Sequence, residues 1–143
     1  MTENEIARQV VDAAYKIHYA YGPGLLELPY AKMMAVELRK RGLVVEREVP
    51  IPLIYEGERI DESFKADMIV NRKVILEFKA TENMHAVFKR QLNTYLKVTN
   101  LRLGLVLNFG MDKIKDGIVR IINGQLEDSV PQAPQEVSYD LTD

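Results

Sequence analysis

Two short apolar segments of the chain each contain an acidic residue: KADMIV at residues 65–70 and VILEFKA at residues 74–80. The second segment is apolar on both faces apart from Glu77 and Lys79, which is typical of a buried central strand. A buried charge is costly unless it is paired or binds an ion. Taken alone, Glu77 and Lys79 have a simpler explanation, a solvent-facing ion pair at the end of a strand.

The acid of the first segment, Asp67, weakens that simpler explanation. A three-residue turn after Val70 pairs it with Val74 and sets Asp67 directly opposite Glu77 on the neighbouring antiparallel strand. Two carboxylates at that distance repel each other unless a cation or a proton lies between them. Because Mg²⁺ is typically held by one or two carboxylates plus substrate phosphate, the pair indicates a divalent-metal site. Lys79 would point into this site and orient or help deprotonate a water molecule.

Periodicity predicts the elements around these strands. Helices are predicted from Ile6 to the break at Gly22-Pro23-Gly24, from about Leu25 to a stop at residues 39–42, and from about Asn83 to Val98. Strands are predicted at residues 43–51, 53–55, 64–70, 74–80, 103–109 and 118–122. Pro50 and Pro52 bend the first strand or place it at an edge. This order predicts an α/β fold with a central mixed β-sheet flanked by α-helices.

The inward faces of the three helices follow from spacings of three and four residues. They comprise Ile6, Val10, Ala13, Ala14, Ile17 and Tyr21 in the first helix, Leu28, Ala31, Ala35 and Leu38 in the second, and Ala86, Val87, Leu92 and Leu96 in the third. An early Pro29 is tolerated because the first turn of a helix does not use its N–H.

The composition excludes several kinds of function. The chain has 143 residues, 47% of them hydrophobic and 28% charged, as in one soluble globular domain. It has no cysteine, which excludes disulfides, cysteine-ligated metal sites and a thiol nucleophile. Residues 1–124 are expected to form the domain, and residues 125–143 an acidic, flexible tail. With no secretory signal and no run of about 18 apolar residues, a cytoplasmic setting is expected.

The formal net charge of −2 hides an uneven distribution. Residues 65–120 carry 11 basic and 5 acidic side chains, whereas the segments on either side are net acidic. The basic surplus includes Lys89 and Arg90 and coincides with the segment that carries the acid pair. It therefore favours a nucleic-acid partner. The alternative is that these basic side chains are scattered over solvent-facing positions and form no groove.

Four pieces of the sequence match a known pattern in order. Asp67 followed by Glu77-Phe78-Lys79 resembles the signature of the PD-(D/E)xK nuclease superfamily, which has the restriction-endonuclease-like fold. The segment GLLELPY at residues 24–30 is similar to the Gly-x-x-Glu-x-x-Tyr motif of the GxxExxY family within it. Residues 91–95 resemble the Gln-x-x-x-Tyr element of RecB-type nucleases, and residues 104–110 the glycine-leucine-rich strand that ends in Asn-Phe.

This resemblance implies a nuclease that uses Mg²⁺ or Mn²⁺ to hydrolyse phosphodiester bonds of a nucleic acid. DNA is favoured over RNA as the substrate, and the sequence does not decide between them. The implied metal ligands are Asp67, Glu77, Glu27 and the backbone carbonyl of Phe78. Lys79 would position the attacking water, and Gln91 would steady Lys79 or a substrate phosphate together with Tyr95, which lies four residues later on the same helix face. Tyr30 of the motif, and Lys89 and Arg90 of the basic segment, are the further candidates for contact with the substrate.

Each of these roles has a structural alternative. Glu27 is also explained as a first-turn acid that the helix dipole favours, Tyr95 as a core aromatic and Tyr30 as a packing residue. His85 is expected to face solvent and His18 to be structural. For the whole chain, the alternative is a non-catalytic or weakly active nucleic-acid-binding or regulatory module on the same fold, within a homodimer or a larger complex. A small-molecule-binding domain is disfavoured because no glycine-rich phosphate loop follows a strand.

Overall fold

The computed structural model describes residues 1–127, apart from the side chain of Ser63. The elements in chain order are helix α1 (Glu3–Tyr21), helix α2 (Glu27–Lys40), strands β1 (Val45–Tyr55), β2 (Glu58–Val70) and β3 (Val74–Lys79), helix α3 (Ala86–Thr99), strand β4 (Leu103–Asn108), a short 3₁₀ helix (Ile114–Gly117) and strand β5 (Ile118–Ile122). Within the described residues, no helix is long and apolar enough to cross a membrane.

The strands of the described residues form one mixed five-stranded sheet in the order β1-β2-β3-β4-β5. The pair β3–β4 is parallel and connected through α3, whereas the other neighbours are antiparallel. Strands β3 and β4 are buried along almost their whole length, because helices cover both faces of the sheet. The predicted α/β class, with a central mixed sheet flanked by helices, is confirmed.

Two hydrophobic clusters fill the spaces between the sheet and the helices. Helices α1 and α2 pack on one face, where the cluster includes Ile6, Val10, Tyr30, Met34, Leu76, Phe78 and Leu105. Helix α3 packs on the other face, where the cluster includes Ile75, Phe88, Leu92, Leu96 and Val106. Gly104 lets α3 approach β4 closely, since a Cβ atom there would lie 2.7 Å from the side chain of Leu92.

Several predicted details were wrong. The strands predicted at 43–51 and 53–55 are one strand, β1, which begins at Val45, so three strands precede α3 rather than four. Tyr21, Leu28 and Val87 are exposed, as is Ala86. Tyr21, Ala86 and Val87 lie in the terminal turns of α1 and α3, beyond the part that packs on the sheet. In α2 the buried stripe instead runs through Tyr30, Ala31, Met34, Ala35 and Leu38. The edge position predicted for the strand with Pro50 and Pro52 is confirmed.

The end of the described chain packs against its beginning. Leu126 is 3% exposed, and the backbone N–H of Glu127 donates to the carboxylate of Glu3 at 2.9 Å. Glu127 also forms an ion pair with Lys73 at 2.8 Å. Residues 128–143, most of the predicted tail, lie outside the described residues, and the division into domain and tail stays a prediction.

The β1–β2 hairpin changes face at Asp67. On the side of Asp67 toward the β2–β3 turn, Met68 packs in the α1–α2 cluster, whereas on the side toward the β1–β2 turn Ala66 packs in the α3 cluster. Regular alternation would keep both of these residues on one face of the sheet. Across from Asp67, between the pairs Arg47–Met68 and Val49–Ala66, Glu48 adopts a left-handed backbone with φ of 50°. The hairpin therefore twists at the level of the predicted site.

Candidate active site

The backbone ladder between β2 and β3 ends where the two acids begin. The turn pairs Val70 with Val74, and the last backbone pair is Met68 with Leu76, which confirms the predicted register. The next two residues are Asp67 and Glu77.

At this point the side-chain carboxylates of the two acids, rather than backbone carbonyls, accept the hydrogen bonds between the strands. The N–H of Asp67 donates to Glu77 Oε2 at 3.0 Å, and the N–H of Phe78 donates to Asp67 Oδ2 at 2.9 Å. Each carboxylate thus holds the backbone of the strand that carries the other. These two hydrogen bonds fix the positions of both acids.

Burial raises the pKa of both acids. Glu77 is 6% exposed, and burial followed by the negative charge of Asp67 raises its pKa to about 8, although the Asp67 N–H and Lys79 oppose this shift. The pKa of Asp67 is raised by burial and, to a smaller extent, by the charges of Glu27 and Glu48. Burial and the neighbouring charge therefore favour the protonated form of Glu77 when no cation is present.

Asp67 opens into a cleft of about 190 Å³ on the α2 side of the sheet. Its lining residues are Glu27, Leu28, Ala31, Arg47, Glu48, Asp67 and Phe78. The implied ligand Glu27 is the first residue of α2 and lies on the wall opposite the sheet. Arg47 and Glu48 were not predicted. The sequence signal that could have found them is a pair of adjacent opposite charges in a β-branched segment. This signal is not specific, because such pairs are common on edge strands.

Lys79 lies on the α3 side of the acids. Its Nζ donates to Gln91 Oε1 at 3.3 Å and lies 4.7 Å from the centre of the Phe88 ring. Tyr95, one turn after Gln91, stacks on Phe64 with ring centres 4.6 Å apart. Burial raises the pKa of Tyr95, and the negative charges of the two acids raise it further. The structure thus brings Lys79, Gln91 and Tyr95 together beside the acid pair.

Lys89 and Arg90 are exposed on α3. Neither forms an ion pair with any other residue in the described part of the chain. Helix α3 contains no acid. The positive charges of Lys89 and Arg90 are therefore not neutralised by an acid in the described part of the chain.

Tyr30 does not have the surface position that a substrate contact requires. It is fully buried and stacks on Phe109 with ring centres 4.4 Å apart. Its hydroxyl donates to the Gly22 carbonyl and accepts from the Leu25 N–H. The implied substrate contact is therefore corrected to a structural role, in which Tyr30 fixes the loop that leads into α2. His18 packs near the same Phe109, in agreement with its structural interpretation.

Asn108 shapes the connection between β3 and α3. It is fully buried at the end of β4, and its carbonyl oxygen accepts from the N–H groups of Thr81 and Gly110, both at 3.0 Å. Its amide donates to the Asn83 carbonyl at 3.3 Å. Gly110 allows the chain to pass against Thr81, because a Cβ atom would clash with the Thr81 backbone. Asn108 thereby positions the start of the helix that carries Gln91.

The chemistry of the acid pair suits a hard divalent cation. Asp67 and Glu77 each keep one carboxylate oxygen without a hydrogen-bond partner in residues 1–127. Mg²⁺ is commonly held by one or two carboxylates, with water and phosphate oxygens completing the shell. In the same residues, no group of three or more His, Cys, Asp or Glu side chains is arranged to hold an ion. Glu27, across the cleft, therefore does not converge with the other two acids as the resemblance implied.

Comparison with known proteins agrees with this arrangement. The sequence profile of the PD-(D/E)XK nuclease superfamily matches residues 4–121, which include both acids, Lys79 and all of α3. No significant match was found among curated proteins or among solved structures. The mixed sheet with helices on both faces is consistent with a restriction-endonuclease-like fold. The chain therefore belongs to the PD-(D/E)XK nuclease superfamily.

Proposed function

We propose that the chain is a divalent-metal-dependent nuclease of the GxxExxY family that hydrolyses phosphodiester bonds in DNA. The observation that carries this proposal is the acid pair. Asp67 and Glu77 lie side by side with raised pKa values, and each keeps one oxygen free. Apolar residues of similar size would make a more stable sheet at this position, so the pair is best explained by a cation that it binds.

In this proposal Asp67 and Glu77 hold Mg²⁺ or Mn²⁺, the Phe78 carbonyl adds an oxygen donor, and Glu27 acts from across the cleft. A bound ion of this kind neutralises phosphate charge and lowers the pKa of a coordinated water molecule. Metal binding would also keep Glu77 ionised at neutral pH, because a positive charge favours the carboxylate form.

The residues on the α3 side would orient the reacting groups. The Lys79 ammonium, held by Gln91, would position the attacking water and stabilise the negative charge that develops on the phosphate. The Tyr95 hydroxyl would donate to a phosphate oxygen from the same helix face. Lys89 and Arg90 would bind the flanking backbone phosphates through their charge.

Membership of the GxxExxY family is supported by the physical role of its motif here. The Tyr30 hydroxyl ties the Gly22 carbonyl to the Leu25 N–H, and α2 begins two residues later at Glu27. The tyrosine thus fixes the loop that presents the glutamate to the cleft. DNA as the substrate, the cytoplasmic location and a homodimer or larger complex are proposed on the sequence alone.

A cleavage panel tests the proposal. Single- and double-stranded DNA and RNA are incubated with the protein in Mg²⁺, Mn²⁺ or EDTA. The wild type is expected to cleave when metal is present, and Glu77→Ala and Lys79→Ala are expected to lose this cleavage. The exposed residues Glu58 and Lys113 provide the controls Glu58→Ala and Lys113→Ala, which should cleave like the wild type. Cleavage that persists unchanged in both site variants would contradict the assignment. Binding without cleavage would favour the regulatory module instead.

A further inference from the structure

Arg47 occupies an unusual position for a basic residue. It belongs to the edge strand β1, pairs with Met68 and lines the same cleft as Asp67 and Glu27. Its side chain is only 26% exposed. Most of its side chain is therefore withdrawn from solvent into the cleft wall, on the α2 side of Asp67.

The hydrogen bonds of this guanidinium are incomplete. The Nε atom is buried and has no hydrogen-bond partner among the described residues. The ion pair with Glu48 is loose, with 4.0 Å between Arg47 Nη2 and Glu48 Oε2. Glu48 is itself 58% exposed and lies 3.6 Å from Lys65. A buried donor without an acceptor is unfavourable, so its retention calls for an explanation.

Another arginine of similar burial shows how a purely structural guanidinium is satisfied. Arg41 is 19% exposed, and its guanidinium binds Glu37 at 2.9 Å, Asp12 at 2.8 Å and Gln9 at 3.0 Å. These contacts join α1 to the end of α2. Arg47 has no comparable set of partners within residues 1–127, although acids line the same cleft. Its open donors therefore suit a ligand rather than the protein's own carboxylates.

We infer that Arg47 binds a non-bridging phosphate oxygen of the nucleic-acid strand that enters the cleft beside Asp67. This inference rests on the proposed function. A guanidinium presents paired N–H groups as a planar fork that matches two phosphate oxygens, and such charge-assisted hydrogen bonds are strong. Because Nε is buried, the two Nη groups of Arg47 would make this contact. Lys79 on the α3 side and Arg47 on the α2 side would then hold the phosphate between two cations.

The test measures binding of a short fluorescein-labelled DNA duplex, and of its single strand, by fluorescence anisotropy over a series of KCl concentrations. Binding is measured both in Ca²⁺ and in EDTA, and gels of the same samples check whether the DNA is cleaved. Arg47→Met keeps the aliphatic packing and removes the charge, whereas Arg47→Lys keeps the charge and removes the fork. The matched control is Arg59→Ala, since Arg59 lies on the same hairpin, is exposed and is paired with Asp61 at 2.6 Å.

We expect Arg47→Met to weaken binding about tenfold and to reduce the slope of log K against log salt by about one. Arg47→Lys should keep the slope and lose part of the affinity, and Arg59→Ala should bind like the wild type. The Arg47 Nε–H resonance, identified in NMR spectra by its loss in Arg47→Lys, should shift on titration with a dinucleotide.

Three results would overturn the inference, and they are distinguishable. If Arg47→Met binds like the wild type while the double variant Lys89→Ala/Arg90→Ala binds more weakly, Arg47 is not a contact but the proposed function stands. If Arg47→Met lowers the melting temperature and leaves the salt slope unchanged, its role is structural. If the wild type binds neither DNA nor RNA, the proposed function fails together with the inference.

Discussion

The two ends of the β2–β3 hairpin perform different tasks with the same two strands. At the turn, Val70 and Val74 pair through the backbone and are fully buried. At the other end, Asp67 and Glu77 hold the strands through side-chain oxygens, and burial raises both pKa values. The first end contributes stability, whereas the second keeps two acids in an environment that disfavours their charge. The acid pair is thus maintained at a cost in stability, which is consistent with the proposed function.

The largest effect is expected from Asp67→Asn. The amide can still accept the Phe78 N–H, so the strand geometry is kept, but the ligand charge is lost. We expect metal-dependent cleavage to fall by about 10²–10³-fold. Stability in EDTA should not fall, because a negative charge next to Glu77 is removed. Cleavage assays and urea unfolding of the same preparation measure both effects. A loss of stability in Asp67→Asn would contradict the view that the acid pair lowers the stability of the sheet.

Leu76→Ala should have the opposite effects, a loss of stability with little change in cleavage. Leu76 is fully buried one residue before Glu77, on the α1–α2 face of the sheet. Its truncation leaves a cavity and is expected to lower the free energy of unfolding by about 2–5 kcal/mol. Cleavage per folded molecule should change little. Leu76→Met, which nearly conserves volume, is the control for urea unfolding, and equal stability of Leu76→Ala and the wild type would contradict the packing described here.

The pH dependence of stability isolates Glu77. Its pKa rises from 4.5 to about 8 on folding, so folding favours the protonated form. The stability associated with this proton is present below about pH 4.5 and is lost as the pH rises through about 8. In EDTA, the melting temperature of the wild type should therefore fall over this range, and that of Glu77→Gln should fall less. Mg²⁺ at pH 8 should raise the melting temperature of the wild type more than that of Glu77→Gln. If the melting temperatures of the wild type and of Glu77→Gln depend on pH in the same way, the raised pKa of Glu77 is contradicted.

The smallest of these effects is expected from Tyr30→Phe. It leaves the Gly22 carbonyl and the Leu25 N–H without their hydroxyl partner, which should cost about 1–3 kcal/mol in unfolding free energy. Because the loop before Glu27 loosens, cleavage should fall a few-fold. Tyr15→Phe, at an exposed tyrosine, is the matched control. An unchanged unfolding midpoint in Tyr30→Phe would show that the hydroxyl does not hold this loop.

The local parts of the site were predictable because their causes lie close together in the sequence. A three-residue turn sets which residues of β2 and β3 face each other. Asp67 and Glu77 face each other because each lies three residues from the pair Val70–Val74 that closes the turn. In the same way, Gln91 and Tyr95 share a helix face because they are four residues apart. Helical spacing was less reliable where an element ends, as the exposed Ala86 and Val87 show.

The remaining parts depend on how distant elements pack. Tyr30 lies in a motif whose pattern is equally compatible with a substrate contact, and only its stacking on Phe109 makes it structural. Glu27 and Glu48 come to the cleft from different elements, and no spacing along the chain relates them to Asp67. Glu27 and Glu48 line one cleft with Asp67 only because α2 packs over the sheet and the hairpin changes face.

The sequence by itself thus determined the α/β class, the central strands and the register of the acid pair, because turn length, alternation and apolar runs act over a few residues. It also indicated the superfamily, through the resemblance of its motifs to the PD-(D/E)xK pattern. Only the tertiary structure decided which side of Asp67 is open, that Arg47 lines the cleft with an unsatisfied Nε, and that burial raises the pKa of Glu77 to about 8. These properties arise from solvent exclusion and from contacts between elements that are far apart in the chain.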